Sequence, residues 1–108
     1  MTFVVDIDGT ICTTEHGDYN QSKPDLKMIE MINRLYDNGH TVNYYTARGT
    51  TTGIDWYSFT KSQLVGWGVK FHELSVGKPF ADFYIDDRAI NPFFMKEILK
   101  KIVETHTP

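Results

Sequence analysis

Short β-rich runs alternate with helical stretches along this chain, and that alternation most constrains what it can fold into. Thr2 to Asp6 (TFVVD) has the apolar profile of a strand buried on both faces. His40 to Thr46, Val69 to Leu74 and Ala81 to Ile85 are three further strand-like runs. Between the first two, a helix is expected from about Lys23, with Pro24 in its first turn and Leu26, Ile29, Ile32 and Leu35 at near-helical spacing. Asn38-Gly39 is its natural stop. A second helix is expected with Asp55 as cap and Trp56, Phe59, Leu64 and Trp67 along it, ended by Gly66 and Gly68. A last one opens at Asn91-Pro92 and carries Phe94, Ile98, Leu99 and Ile102. Residues 13–22 and 47–54 read as loops, and Val76-Gly77-Lys78-Pro79 as a turn. Strands joined through helices imply right-handed crossovers and a mainly parallel sheet in an α/β fold.

With 108 residues, the expectation is a single domain over 1–108 with one hydrophobic core. A hydrophobic fraction of 41% and a charged fraction of 23% are those of a globular chain. The formal charge of −3 supplies no basic face, so nucleic acid is not an expected partner. Cys12 is the only cysteine, so an internal disulfide is excluded. The start MTFVVDIDGT has no basic leader, and no run approaches the ~20 apolar residues of a membrane helix. The expected setting is the cytoplasm, away from membranes.

In a parallel α/β sheet, ligands bind outside the carboxyl ends of the strands. Asp6 and Asp8 follow the first run, Thr46 ends the second, Lys78 follows the third, and Asp86 and Asp87 follow the fourth. Each acid alone reads as a solvated loop residue. As a set they converge on one rim, where like charges ~4 Å apart repel by about 4 kcal/mol near a protein surface. A cation among them relieves that repulsion. His16, His40, His72 and His106 are scattered and Cys12 stands alone, so oxygen ligands point to Mg²⁺.

These residues also match a family pattern. Asp6-Ile7-Asp8-Gly9-Thr10 after an apolar strand resembles the first motif of the haloacid dehalogenase superfamily. Thr46 in YYT resembles the second motif, Lys78 in GKP the third, and Asp86-Asp87 in YIDD the fourth. The resemblance implies a three-layer Rossmannoid fold and aspartyl-phosphate chemistry. Asp6 would be the nucleophile, and Asp8 would protonate the leaving oxygen and then activate water. Thr46 would bond a phosphoryl oxygen, and Lys78 would neutralise charge. Asp6, the backbone carbonyl of Asp8, and Asp86 would hold Mg²⁺, with Asp87 ligating directly or through water, and Gly9, Thr10, Ala47 and Arg48 would line the substrate. Charge that spreads over phosphoryl oxygens in the transition state explains why cations and acids are needed together.

Within that superfamily, TICTTEHGDYNQSKP and GKPFADFYIDDRAI are similar to small capless phosphatases of capsular or surface polysaccharide biosynthesis. They imply a small phosphorylated substrate such as a sugar phosphate. Neither interval between motifs has room for a cap, so the site is expected to be open unless a homo-oligomeric neighbour or a large substrate covers it. The competing readings are a non-catalytic phosphate-binding or regulatory module on the same fold, and a nucleotide phosphatase. Arg48 and Arg88 either hold an anionic part of the substrate or form ion pairs within the protein. His16 is read as a solvated loop residue and Cys12 as packing near the first turn. A cysteine phosphatase is excluded because Asp18 stands where its arginine belongs.

Overall fold

The computed structural model describes residues 1–91, 94, 97, 98 and 100–102. β1 (Thr2–Val5) leads through a tight turn to β2 (Cys12–Thr13) and a 3₁₀ turn at Tyr19–Gln21. β3 (Lys23–Pro24), α1 (Leu26–Asp37), β4 (Thr41–Thr46), α2 (Tyr57–Gly66) and β5 (Glu73–Val76) follow. The main sheet is parallel in the order β1-β4-β5, and β2 and β3 form a small antiparallel ladder. The chain is thus α/β around a three-stranded parallel sheet. Among the described residues no helix is long and apolar enough to cross a membrane.

α1 starts three residues later than its pattern suggests. Pro24 pairs with Cys12 in the small ladder, and Asp25 caps the helix by accepting the Met28 N–H at 3.1 Å. Met28, Ile29, Ile32 and Leu35 are buried against the sheet, while Leu26 stays exposed. Each such burial stabilises by roughly 1.5–3 kcal/mol. The helix ends at Asn38, with Gly39 at φ +89° in the left-handed region. In α2 the capping position is Trp56; Asp55 instead accepts the Tyr57 N–H at 3.0 Å. Leu64 and Thr60 are its buried residues. The third strand also lies further along than its sequence run: Val69 joins the core, and the strand itself is Glu73–Val76.

The largest departure is the fourth run. Ala81 to Ile85 pairs with no strand among the described residues, and Phe83 and Ile85 are 85% and 98% exposed. The last helix is described only in part. Asn91 is described, and its carbonyl accepts the Phe94 N–H at 3.0 Å, but Pro92 and Leu99 lie outside the described residues. Phe94 and Ile98 are exposed, whereas Ile102 packs against the core.

Register places the functional rim. Val5 lies beside Tyr44, and Thr46 beside Val76, so β1, β4 and β5 end on the same side. The 47–54 loop leaves that rim through Gly49, at φ +82°. A Cβ there would collide with the Ile54 carbonyl oxygen. Gly49→Ala is therefore expected to destabilise the protein by more than about 1 kcal/mol in chemical denaturation. A variant with unchanged midpoint would contradict this account of the loop.

Candidate functional site

β1 delivers the first two acids. After Val5 the chain curls: the Ile7 carbonyl accepts the Thr10 and Ile11 N–H groups at 3.1 and 3.0 Å, and the Gly9 N–H donates to Cys12 O at 2.9 Å. Gly9 supplies the positive φ of +85° this turn needs. The turn breaks strand alternation, which lets Asp6 and Asp8 both sit half-buried at the rim.

Their surroundings differ. Asp8 takes a fork from Arg48: Nε donates to Oδ2 and Nη2 to Oδ1, each at 2.9 Å. Thr14 adds its hydroxyl to Oδ1 at 2.6 Å. The Arg48 side chain is 0% exposed, and its Nη1 donates to Thr60 Oγ1 at 3.2 Å and Gln63 Oε1 at 2.7 Å. The guanidinium lies 4.4 Å from the Tyr19 ring centre. Burial by itself would raise the Asp8 pKa, but the Arg48 and Thr14 hydrogen bonds and the Arg48 charge outweigh it and hold the group below its ordinary value. Of the two readings of Arg48, the geometry takes the internal ion pair. Its Nε, Nη1 and Nη2 all donate to groups of this chain.

Asp6 has the opposite balance. Desolvation is the largest influence and raises its pKa; the Lys78 charge and the Ile7 N–H oppose it without cancelling it. Lys78 Nζ stands 3.5 Å from Asp6 Oδ2 and 4.3 Å from the Tyr84 ring centre. Its backbone is fixed to the end of β4. The Lys78 N–H donates to Thr46 O at 3.1 Å, and Lys78 O accepts the Thr50 hydroxyl at 2.9 Å. Thr46 is buried, and its Oγ1 accepts the Arg48 N–H at 3.1 Å, which leaves its own O–H proton to donate.

Asp6, Asp8, Thr46, Arg48 and Lys78 therefore form one cluster. Thr10 and Ala47 are half-buried beside it, and Gly9 is exposed. Asp86 and Asp87 do not join it. Both are exposed, and Asp86 accepts the Arg88 N–H at 2.8 Å. Among the described residues no group of three His, Cys, Asp or Glu side chains stands where it could hold a metal ion. The four acids expected around Mg²⁺ thus do not fit that ion within one chain. The reason is structural: Asp86 and Asp87 depend on a fourth strand that is not paired.

Cys12 is buried, with its thiol donating to Ile7 O and Asp8 Oδ1, and burial pushes its pKa up to about 11. It is an inert packing residue. His16 is exposed at φ +54°. Sequence reasoning missed Thr14, Tyr19, Thr60 and Gln63, the residues that hold the Asp8–Arg48 pair. The visible signal was Thr60 and Gln63 three apart on α2 beside Leu64, two polar residues on an inward helical stripe.

No family model matches the chain, and no curated protein matches it. Among solved structures it is similar to a crystal structure of a target protein from Vibrio cholerae, at 28% identity and a TM-score of 0.82. The match covers 96% of this chain and 97% of that one, so it extends past Lys78 into the exposed segment.

Asp8→Ala would leave the buried Arg48 charge without its carboxylate. We expect a loss of about 3 kcal/mol in urea unfolding at neutral pH. The pH dependence follows from the sign of the shift. A carboxylate held below its ordinary value stabilises above the unfolded value of 3.8 and loses that contribution as the pH falls through the folded value. The gap between wild type and Asp8→Ala should therefore be full above about pH 4 and narrow below it. A gap independent of pH would show that Asp8 is not held ionised by Arg48.

Proposed function

We propose that this chain is a phosphatase of the haloacid dehalogenase type, hydrolysing a small phosphate monoester through an acyl-phosphate on Asp6. The reading rests on one observation above all: a half-buried carboxylate of raised pKa faces an ammonium at the carboxyl ends of a parallel sheet, with a second carboxylate two residues on. The finer fold that goes with it is the three-layer Rossmannoid one. Support comes from the order of the motif residues and from the α/β frame that carries them.

The chemistry divides into two displacements. In the first, an Asp6 oxygen bonds to phosphorus as the ester P–O bond breaks, and the departing alkoxide takes a proton. In the second, water attacks the phosphorus of the acyl-phosphate, its proton goes to a base, and the Asp6 carboxylate returns with inorganic phosphate. A desolvated Asp6 is more basic than an ordinary carboxylate and so a stronger nucleophile. Lys78 balances the negative charge that gathers on the transferring group. Asp8, held ionised, suits the base of the second step. As the structure stands it has no proton for the first, so solvent supplies it. Esters with acidic leaving groups should consequently be the better substrates. Among natural candidates we propose a sugar phosphate or similar surface-polysaccharide precursor, on the likeness of the 10–24 and 77–90 stretches.

One observation favours the competing reading of a phosphate-binding module: Asp8 is engaged by a buried arginine rather than directed at a ligand. Turnover separates the two. Phosphate release from a panel of aryl, sugar and nucleotide monoesters, with Mg²⁺ supplied, is expected for wild type. Asp6→Asn should reduce it at least 10³-fold, about 4 kcal/mol. The same variant should melt no lower than wild type, because it removes a charge that burial disfavours. Binding of phosphate esters without release across the whole panel would select the non-catalytic module.

A further inference from the structure

Three observations concern one part of the molecule. First, β1 pairs with β4 on one side, and among the described residues no strand takes its other edge. Val4, on the opposite face of β1 from buried Val5, is 65% exposed. Second, the chain beyond Lys78 carries Phe80, Phe83, Tyr84, Ile85, Ile90 and Phe94, all exposed. An exposed apolar run of this kind marks an interaction surface. Third, Asp86 and Asp87 lie on this segment and away from Asp6.

Chain length decides where the segment can go. Asp86 reaches the rim that holds Asp6 only if Ala81 to Ile85 runs parallel to β1. From Val76, at the carboxyl end of β5, the chain would have to cross three strand spacings and return to the amino end of the sheet. That path is about 20 Å even before it skirts a layer of side chains. Val76 and Ala81 are five residues apart, about 17 Å when fully extended. A parallel crossover ordinarily takes a dozen residues or more. Antiparallel pairing on β1 or on β5 is within reach, but it delivers Asp86 to the amino end, away from Asp6.

We infer that residues 79–91 are exchanged between two copies of this chain, each laying residues 81–85 along the open edge of the other's β1 while Ile102 keeps its contact with its own core. The exchange is two-fold and self-complementary, so both edges close at once. It buries the exposed aromatics of residues 80–84 against the other copy. It also sets Asp86 and Asp87 of the partner subunit beside Asp6, so that each site is built from two chains. This last part rests on the phosphatase reading; the pairing itself does not.

The test uses the full-length chain. Light scattering after gel filtration should give twice the 12.5 kDa chain mass. Phe83→Lys with Ile85→Lys alters two side chains that are exposed within one chain, so folding should be unchanged by circular dichroism while the mass falls to that of one chain. A monomeric wild type at ~0.1 mM, or a charged variant that stays dimeric, overturns the exchange. For the shared site, Asp6→Asn and Asp86→Asn are each expected to be inactive alone. Refolded together in equal amounts they should recover about a quarter of wild-type phosphate release, because half the dimers are mixed and each has one intact site. No recovery, with wild type active and dimeric, overturns the shared site. If no ester is turned over by wild type, the phosphatase reading fails, and the masses alone still decide the exchange.

Discussion

A guanidinium with no exposure to water has to find its counter-charge inside the protein, and the rim of this sheet is arranged around that need. An unpaired buried charge costs several kcal/mol, so the partners of Arg48 are fixed as firmly as Arg48 itself. Asp8 meets its charge, Thr60 and Gln63 take its remaining donors, and Tyr19 lies under its plane. The turn after β1, the loop after β4, helix α2 and the 3₁₀ turn at Tyr19–Gln21 are held together through one side chain. Gln63 closes the ring by donating to Tyr19 O at 2.8 Å.

The same pair separates the chemistry of two acids that sequence alone makes look alike. Asp6 and Asp8 share a turn and a degree of burial. Arg48 is committed to Asp8, and Lys78 stands against Asp6 at the longer distance of 3.5 Å. One carboxyl is held below its ordinary value and the other above it. Two neighbouring carboxyls pushed in opposite directions differ in their readiness to hold a proton. The division comes from desolvation at Asp6 and from the Arg48 and Thr14 hydrogen bonds at Asp8.

The sequence was legible where local rules and core packing agree. β1, α1, β4 and α2 follow their apolar patterns, and Asp6, Asp8, Thr46 and Lys78 fall at strand ends because a parallel sheet puts strand ends together. It was less legible where a long-range partner decides. Pro24 looks like a helix opener but is taken by Cys12 across the small ladder. Arg48 reads equally as a ligand for substrate or as half of an ion pair within the protein until α2 is placed against the loop. Ala81 to Ile85 has every local property of a strand, yet a strand exists only where an edge can be reached, and no pattern within five residues reports on that distance.

Lys78 makes the constraint on that segment tighter than its length suggests. Its N–H is bonded to Thr46 O and its carbonyl to the Thr50 hydroxyl, so the chain is pinned at the carboxyl end of β4 just before the segment begins. From there to Ala81 three residue steps remain, about 10 Å of extended chain. The amino end of β1's open edge lies two strand spacings across and one strand length back, about 16 Å away. Releasing Lys78 to gain reach would withdraw the ammonium from Asp6. Within one chain, then, the lysine and the Asp86-Asp87 pair compete for the same short stretch of backbone. In the proposed exchange a second copy supplies the acids, and the first keeps its lysine in place.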